Sequence, residues 1–331
     1  MVKYRQLGSS NLEVSTVIFG AWAIGGWMWG GAEEKDAIEA IHAAIDGGAT
    51  AIDTAAVYGY GRSEEIVGKA IKGRRDKVQL LTKFGLRWDL KDGEHFFSWS
   101  DENGEKDIYR NASKKSIIEE CDNSLKRLGT DYIDLYQCHW RDHTTSLEET
   151  MEALNQLLKE GKIRAVGVSN FTKAEIEESR KFCPVAALQP PYSMLERGIE
   201  KEILPYCLSS NVGVIVYSPL QRGLLTGKFK PDVQFKEGDH RARQVHFTPE
   251  NIKRTNAFLE KIKPIATAHD ATLGQLVIAW TIAQPGVTSA IVGARDAAQC
   301  KENLKGAEID LSESDLKAID QHLDSLQLQP A

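Results

Sequence analysis

Polar and titratable residues stand at or just after the ends of several short apolar runs in this sequence. Three of them carry acidic or basic side chains: Asp53, Lys83 and His139. Taken singly, each has an ordinary interpretation as a helix cap, a lysine reaching the surface or a histidine satisfied within a core. Because a charged group buried at a strand end is costly unless it is paired, their joint occurrence predicts a catalytic site. The other positions of this kind are Ser169, Asn170, Gln189, Tyr217 and Gly293.

A tyrosine, Tyr58, lies five residues after Asp53 in a loop that also contains Gly59 and Gly61. The two glycines allow a tight turn that would bring the ring back over the strand ends. Tyr60 stands in the same loop and is a second candidate for that place. Either ring could instead pack beneath the loop as an ordinary aromatic residue.

Apolar runs rich in Val, Ile and Leu alternate along the whole chain with longer stretches of helical period, as in repeated βα units. No composition break or linker divides the chain. The pattern therefore predicts one α/β domain over residues 1–331, a (β/α)8 TIM barrel whose catalytic face collects the carboxyl ends of the strands. The eight predicted strands are 17–20, 50–53, 78–83, 132–136, 164–168, 186–189, 212–217 and 289–292. The predicted helices are 33–46, 63–72, 113–128, 147–159, 173–182, 200–209, 249–269, 273–283 and a last one from Ser312.

Three segments extend beyond the eight repeats. An N-terminal β-hairpin, formed by residues 3–6 and 12–14, is predicted to close the bottom of the barrel. Long loops, 84–111 and 220–248, follow strands 3 and 7 and are therefore predicted at the catalytic face. Because loops of this length in a compact domain tend to be lids or binding loops, we expect them to encode specificity.

Composition excludes several classes of protein. Among 331 residues, 41 Lys and Arg face 47 Asp and Glu, giving a net charge of −6. Without a basic stripe, neither nucleic acid nor an anionic membrane is an expected partner. The sequence also shows no signal peptide and no apolar run near the ~18 residues of a membrane span. The five dispersed cysteines, with no Cys-x-x-Cys pair, predict reduced thiols in a cytoplasmic protein. Oligomeric state is not indicated.

Over nearly its whole length the chain resembles the aldo-keto reductase superfamily, and most closely the bacterial branch near the potassium-channel beta subunits. The matching motifs are specific and are spread along the sequence. They are residues 48–55 (GATAIDTA) with Tyr58 and 61–64 (GRSE), 124–135 (SLKRLGTDYIDL), 161–164 (GKIR), 167–171 (GVSNF), Gln189 with 191–192 (PY), 217–220 (YSPL), 223–228 (GLLTGK), 293–295 (GAR), Gln299 and 302–303 (EN).

The resemblance implies a catalytic tetrad of Asp53, Tyr58, Lys83 and His139. These residue types suit carbonyl reduction, which needs hydride at carbon and a proton at oxygen. A free tyrosine, with a pKa of about 10, is a weak acid, and the Lys83 ammonium is expected to lower that pKa. Asp53 would hold Lys83, and His139 would orient the carbonyl oxygen by a hydrogen bond.

The segment after His139 departs from the family pattern. Arg141 stands where many relatives have proline, which puts the shape of this loop in question. His139 and His143 are four residues apart, but Trp140 occupies the place of the metalloprotease glutamate and no third ligand is evident. No metal is therefore predicted.

No Gly-x-Gly-x-x-Gly follows a strand, and residues 223–228 lack the spacing of a phosphate loop, so neither nucleotide motif is present. The resemblance instead implies a nicotinamide cofactor in the barrel mouth. It would place the carboxamide on Ser169, Asn170 and Gln189, the ring on Tyr217, and the pyrophosphate near residues 218–228. The full set implied for the cofactor is Trp22, Ser169, Asn170, Gln189, Tyr217, Ser218, Pro219, Leu220, Gly223, Lys228, Arg241, Gly293, Arg295, Gln299, Glu302 and Asn303.

Arg295 favours NADP(H), because a guanidinium matches the charge and geometry of a 2′-phosphate. Gly293-Ala294 and Gln299 differ from the residues of many eukaryotic relatives, so NAD(H) also stays open. The expected activity is reduction of aldehydes or ketones, sugar- or polyol-derived carbonyls among them. Candidate walls of the substrate pocket, besides Trp22, are Trp29, Trp88 and Trp140.

Two alternatives remain. The first is a regulatory subunit that binds NADPH and turns over slowly or not at all, against which the presence of His139 counts. The second is a lyase that forms a Schiff base on Lys83, a lysine at a strand end. The cofactor motifs make the lyase the weaker of the two.

Overall fold

The computed structural model describes residues 2–29, 32–101, 104–236 and 238–330. At its centre eight parallel strands form a closed barrel in chain order, and Gly293 of the last strand pairs with Gly20 of the first. The predicted (β/α)8 TIM barrel is therefore confirmed. The strands are β1 Val17–Gly20, β2 Ala51–Asp53, β3 Gln79–Phe84, β4 Ile133–Cys138, β5 Ile163–Ser169, β6 Ala187–Gln189, β7 Gly213–Val216 and β8 Val287–Gly293.

Six of the described helices begin after a Ser or Thr whose hydroxyl caps the helix. Ser113 accepts a hydrogen bond from the Ser116 amide and Thr172 from the Glu175 amide, as N-caps do. One helix, Ala297–Lys305, was not predicted, and Asp296 caps it. Within the described residues, no helix is both long and apolar enough to span a membrane. The helices are α1 Glu34–Asp46, α2 Arg62–Ile71, α3 Lys114–Leu128, α4 Leu147–Lys159, α5 Lys173–Ser179, α6 Ile203–Ser209, α7 Pro249–Ala268, α8 Leu273–Ala283, α9 Ala297–Lys305 and α10 Glu313–Asp324.

The N-terminal hairpin closes the amino end of the barrel, as predicted. Its strands Tyr4–Gln6 and Glu13–Ser15 pair antiparallel. Leu7 and Val14 are completely buried and pack in one cluster with inward residues of the barrel such as Leu81. This end is therefore filled with apolar side chains, which leaves the opposite end for the site.

The segment after β3 is not the loop that we expected. It forms a three-stranded antiparallel sheet from Leu86–Arg87, Glu94–Asp101 and Gly104–Arg110, which we call the β3 lid. One face of the β3 lid is buried, because Trp99 and Ile108 pack against the loop that carries Tyr58. The polar residues that suggested a loop belong to a sheet with one solvated face.

The segment after β7 is long, as predicted, and its described residues, 220–236 and 238–248, contain only short 3-10 turns, Gln221–Thr226, His240–Arg243 and Val245–Phe247. Phe229, Phe235 and Phe247 pack together within it. This segment, residues 220–248, is called the β7 segment below. Its own small apolar cluster gives it a defined shape without regular secondary structure.

Candidate active site

The structure brings Asp53, Tyr58, Lys83 and His139 together at the carboxyl ends of β2, β3 and β4. Lys83 Nζ donates to Asp53 Oδ2 at 2.7 Å and lies 3.3 Å from the Tyr58 hydroxyl. The His139 ring meets the Tyr58 ring edge to face, with centroids 5.8 Å apart. Three elements of the barrel and the loop after β2 thus supply one compact group of ionisable side chains.

Lys83 has no free hydrogen-bonding capacity. Besides Asp53 and Tyr58 its ammonium meets the carbonyl oxygen of Thr54 at 2.9 Å, so its three N–H groups have three acceptors. The side chain is fully buried beneath Tyr58. Burial lowers the pKa of Lys83, and the Asp53 carboxylate opposes that change. The ion pair with Asp53 and the three engaged N–H groups hold the amine beneath Tyr58, and this geometry does not favour the alternative of a Schiff-base lyase.

Asp53 is held by amides as well as by Lys83. Gln189 Nε2 donates to its other oxygen, Oδ1, at 2.8 Å, and Gln137 Nε2 lies 3.4 Å from the same atom. Gln137 and Gln189 are also 3.2 Å apart. Sequence reasoning missed Gln137, although its place one strand away from Lys83 in the barrel register could have indicated it.

The environment of Tyr58 contradicts one expectation. Its pKa is raised well above the usual value, first by burial and then by the Asp53 carboxylate, whereas we expected Lys83 to lower it. Burial dominates because the phenolate would lose its hydration in this site. The resting hydroxyl of Tyr58 is therefore protonated at neutral pH, which is the state that a proton donor needs.

The protonation state of Tyr58 can be measured in the cofactor-free protein. Because the pKa of Tyr58 lies above its ordinary value, difference spectra between the wild type and Tyr58→Phe should show no tyrosinate signal from about pH 6 to about pH 9. A tyrosinate that forms in this range and disappears in Tyr58→Phe would instead restore the expectation that Lys83 acidifies the phenol.

His139 is held in a neutral state. Burial, reinforced by the Lys83 charge, lowers its pKa well below the ordinary value. Its amide donates to Phe84 O at 3.0 Å, and its carbonyl accepts from Asn170 Nδ2 at 3.1 Å. A neutral imidazole keeps one ring N–H that can donate to a carbonyl oxygen beside Tyr58.

The loop after His139 takes its shape from Asp142. This carboxylate accepts hydrogen bonds from the Ala112 amide at 2.9 Å and the Thr145 hydroxyl at 2.8 Å, while Arg141 bonds to the Asp142 carbonyl. The arginine that replaces the usual proline therefore points along the loop. It leaves Trp140 free to pack on Phe96 of the β3 lid.

A cavity of about 940 Å³ opens above the tetrad. Asp53, Tyr58 and His139 line it, whereas Lys83 lies beneath them. Every residue that the resemblance implied for the cofactor lines the cavity, and so do Trp29 and Trp140. Trp88 does not line the cavity. It packs against Tyr60, with ring centroids 5.9 Å apart, so the prediction that it forms a wall of the pocket is wrong.

At the end of the cavity beside β5 to β7, the predicted polar residues form one hydrogen-bonded chain. Tyr217 OH donates to Asn170 Oδ1 at 2.9 Å, Asn170 Nδ2 to Ser169 Oγ at 3.1 Å, and Ser169 Oγ to Gln189 O at 2.8 Å. Asn170 has a positive φ of 60°, which turns its side chain within reach of both partners. This chain fixes the side chains that a carboxamide would meet.

The backbone is strained where β7 leads into the β7 segment. Ser218, Gln221 and Arg222 have φ values of 57°, 45° and 55°, and Gly223 follows at 92°. Non-glycine residues in this conformation cost about 1–3 kcal/mol each and concentrate at functional sites. Arg222, which the sequence analysis missed, lines the cavity with a buried Nε that has no partner among the described residues.

The residues near β8 and α9 form the opposite end. Asn303 Nδ2 donates to Gly293 O at 3.1 Å, and the Arg295 amide donates to Gln299 Oε1 at 3.2 Å. The Arg295 guanidinium reaches across to the carbonyl oxygen of Trp29 at 3.1 Å. This places its cationic group inside the cavity mouth.

The cavity suits a dianionic nucleotide. Five cations, Arg222, Lys228, Arg241, Arg243 and Arg295, line it. Within the described part of the chain, Arg241 alone of these five has an ion pair, with Asp239 at 2.5 Å. A pyrophosphate would supply the missing partners of the unpaired cations. It would also supply an acceptor for the buried Nε of Arg222, which lies in the strained part of the backbone.

A closed parallel barrel with an Asp–Tyr–Lys–His group at its mouth defines an oxidoreductase of the reductase type. The chain matches the Aldo/keto reductase family over residues 16–324, and it belongs to that family.

The names of similar proteins are consistent with this family. The aldo-keto reductase YhdN of Bacillus subtilis is 41% identical over 301 residues, covering 90% of this chain and 86% of that one. The NADH-specific methylglyoxal reductase of Escherichia coli is 37% identical over 97% of this chain and 98% of its own. Among solved structures, the glycerol dehydrogenase AKR11B4 of Gluconobacter oxydans has a TM-score of 0.88 at 36% identity, covering 99% of this chain and 97% of that one.

Proposed function

We propose that this protein reduces aldehydes or ketones to alcohols with a nicotinamide cofactor, and that Tyr58 is the proton donor. The observation that carries the proposal is the Asp53–Lys83–Tyr58 chain at the floor of the cavity, with His139 beside the phenol. When bound, the reduced nicotinamide supplies the hydride that goes to the carbonyl carbon.

The chain's own residues supply the proton and the orientation. Tyr58 holds its proton at neutral pH and gives it to the carbonyl oxygen as negative charge develops there. The Lys83 ammonium, 3.3 Å from the hydroxyl, stabilises the charge left on Tyr58, and Asp53 fixes that ammonium. His139 donates its ring N–H to the same carbonyl oxygen and selects its orientation.

For the cofactor we propose the predicted arrangement, with the carboxamide on Ser169, Asn170 and Gln189. Lys228 and Arg241 would contact the pyrophosphate, and Arg295 would contact the 2′-phosphate of NADP(H). The Escherichia coli relative is NADH-specific, so NAD(H) is the alternative for this chain.

Arg295 provides the test of cofactor preference. If it binds a 2′-phosphate, Arg295→Leu should raise the Kd for NADPH by about 10–100-fold, because a charge-assisted bond worth about 1.5–3 kcal/mol is lost. The Kd for NADH should change much less. Arg243→Leu is the matched control, since that arginine lies over the Trp99 ring at another part of the mouth. Equal losses for NADPH and NADH would contradict the NADP(H) assignment.

The activity itself is tested by steady-state oxidation of NADPH and NADH with a panel of aldehydes, ketones and sugar-derived carbonyls. Turnover on members of the panel is expected. Tight cofactor binding without turnover on any of them would favour the alternative, a cofactor-binding regulatory subunit.

The five cysteines support a reducing, cytoplasmic location. All of them are buried and none is in a disulfide. Burial raises the pKa of each thiol, to about 12 for Cys121, so these thiols resist oxidation and serve as small apolar residues of the core.

A further inference from the structure

The interior of the barrel changes from apolar to polar in one step near its carboxyl end. On four strands a residue of the buried apolar filling is followed two positions later, on the same face of the strand, by a polar residue. We call these four polar residues the polar layer. Each is at most 2% exposed, so its polar atoms need partners in the surrounding protein. The apolar residues are Ala51, Leu81, Leu135 and Ala187, and the polar layer is Asp53, Lys83, Gln137 and Gln189.

The Asp53 carboxylate fixes the orientation of both glutamine amides in the polar layer. A carboxylate oxygen only accepts hydrogen bonds, so the atoms that lie 2.8 Å and 3.4 Å from Asp53 Oδ1 are Nε2 of Gln189 and Nε2 of Gln137. Gln137 therefore turns its Oε1 toward Gln189, whose Nε2 lies 3.2 Å from it. Both N–H groups of Gln189 Nε2 thus have acceptors inside the polar layer, one on Asp53 and one on Gln137.

The barrel leaves room for Gln137 at this position. Its partner in the register of β4 and β5 is Gly167. A Cβ atom on Gly167 would lie only 2.9 Å from Gln137 Cγ, so any larger residue there would displace the Gln137 side chain. The glycine therefore allows the Gln137 amide to reach Asp53 and Gln189.

The end of the Gln189 amide that the polar layer leaves free is Oε1. This oxygen accepts no hydrogen bond from the described residues, and it keeps accessible surface on the cavity, which Gln189 lines. The Asn170 amide nearby differs, because its two N–H groups donate to His139 O and Ser169 Oγ. Gln189 therefore offers the cavity an acceptor, which suits a ligand group that carries an N–H.

We propose that Gln137 is a positioning residue for the cofactor. Together with Asp53 it holds the Gln189 amide with Nε2 turned inward, so that Oε1 accepts an N–H of the nicotinamide carboxamide and selects against ring substituents without an N–H. Gln137 itself does not line the cavity and acts through Gln189. Asp53 has a second task in this arrangement, because its Oδ2 holds Lys83 while its Oδ1 holds Gln189. The proposal rests on the proposed function, in which the carboxamide contacts Gln189.

The test compares the binding of two nucleotides, without turnover. The 3-acetylpyridine analogue of NADP⁺ carries a methyl group in place of the amide NH2, so it offers no N–H. The wild type should bind NADP⁺ about tenfold more tightly than the analogue, the contribution of one hydrogen bond. Gln137→Met keeps the length of the side chain but removes its donor and acceptor, and it should reduce this ratio to about two- to threefold, mainly by weakening NADP⁺. Titration of tryptophan fluorescence measures both Kd values, and the NAD⁺ pair is used if the wild type prefers NAD⁺.

Gln79→Met is the matched control, because Gln79 lies at the amino end of β3 and the same substitution there should leave the ratio unchanged. Gln137→Leu should lower the ratio as Gln137→Met does, since the effect follows from the lost hydrogen bonds and not from the shape of the side chain. An unchanged ratio in the two Gln137 variants, or equal weakening of both nucleotides, would overturn the proposal, because purely structural damage does not distinguish a carboxamide from a methyl ketone.

The same titrations separate this proposal from the proposed function. A wild type that binds no nicotinamide nucleotide contradicts the proposed function, and the role of Gln137 with it. A wild type that binds NADP⁺ and the analogue equally tightly contradicts only the role of Gln137.

Discussion

Tyr58→Phe is expected to lower kcat for carbonyl reduction by about 10²–10⁴-fold, the range that a positioned general acid contributes. The phenylalanine ring keeps the stacking on Trp22 and the edge contact with His139, so only the hydroxyl is lost. The Kd for NADPH should therefore stay within a few-fold of the wild type. Stopped-flow and steady-state oxidation of the cofactor measure kcat, and equilibrium titration measures Kd.

Tyr60→Phe is the matched control for this change. Tyr60 lies two residues away in the same loop but packs on Trp27 and Trp88, away from Lys83. It should lose far less activity than Tyr58→Phe. If Tyr58→Phe retained full activity on a good substrate, or if Tyr60→Phe were the more damaged variant, the proton donor would be assigned to the wrong residue.

The second large effect concerns the buried ion pair. Lys83→Met should lower the free energy of unfolding by about 3–5 kcal/mol, because it leaves the Asp53 carboxylate buried without its cation. The double variant Asp53→Asn/Lys83→Met should recover much of that loss, since no buried charge remains unpaired. All of these variants should reduce carbonyls poorly, because Tyr58 loses the adjacent charge. Urea unfolding followed by circular dichroism gives the stabilities.

An exposed pair of the same length provides the control. Lys69 Nζ and Glu34 Oε1 are also 2.7 Å apart, but both side chains are roughly half exposed. Lys69→Met should therefore cost no more than about 1 kcal/mol. A loss in Lys83→Met as small as that of Lys69→Met, or a double variant no more stable than Lys83→Met, would show that the pair does not behave as a desolvated one.

The barrel and the group of side chains at its mouth were predictable because their signals are local. Strands buried on both sides read as continuous runs of Val, Ile and Leu, and Ser or Thr caps mark the starts of six helices. Once eight such strands close in order, their carboxyl ends share one rim. Asp53, Lys83 and His139 then have to converge, even though the sequence separates them by 30 residues or more.

The β3 lid was missed for a physical reason. Its strands bury one face only, so polar residues alternate with Phe97 and Trp99, and a shift of register between His95 and Phe97 breaks that alternation further. The dipeptide Asn103-Gly104 is a hairpin signal in the sequence. The strands of the β3 lid can be recognised as a sheet only when the surface that they cover, around Tyr58, is known.

Burial likewise had to come from the structure. Residue type and neighbourhood suggested that Lys83 would lower the pKa of Tyr58, but the cost of desolvating the phenolate is larger and has the opposite sign. The same holds for Trp88 and Trp99, which are indistinguishable in type, yet only Trp99 lines the cavity. In the same way, the Gln189 amide is oriented by Asp53 and Gln137, which lie 136 and 52 residues earlier in the chain.

The sequence alone thus determined the family resemblance, the barrel and the residues that we propose to react, because strand pattern, caps and motif spacing depend on residues close together in the chain. Only the tertiary structure decided which groups are desolvated, which rings reach the cavity and which polar atoms lack partners. Those properties depend on distant segments packing against one another, and they set the protonation of Tyr58 and the orientation of the Gln189 amide.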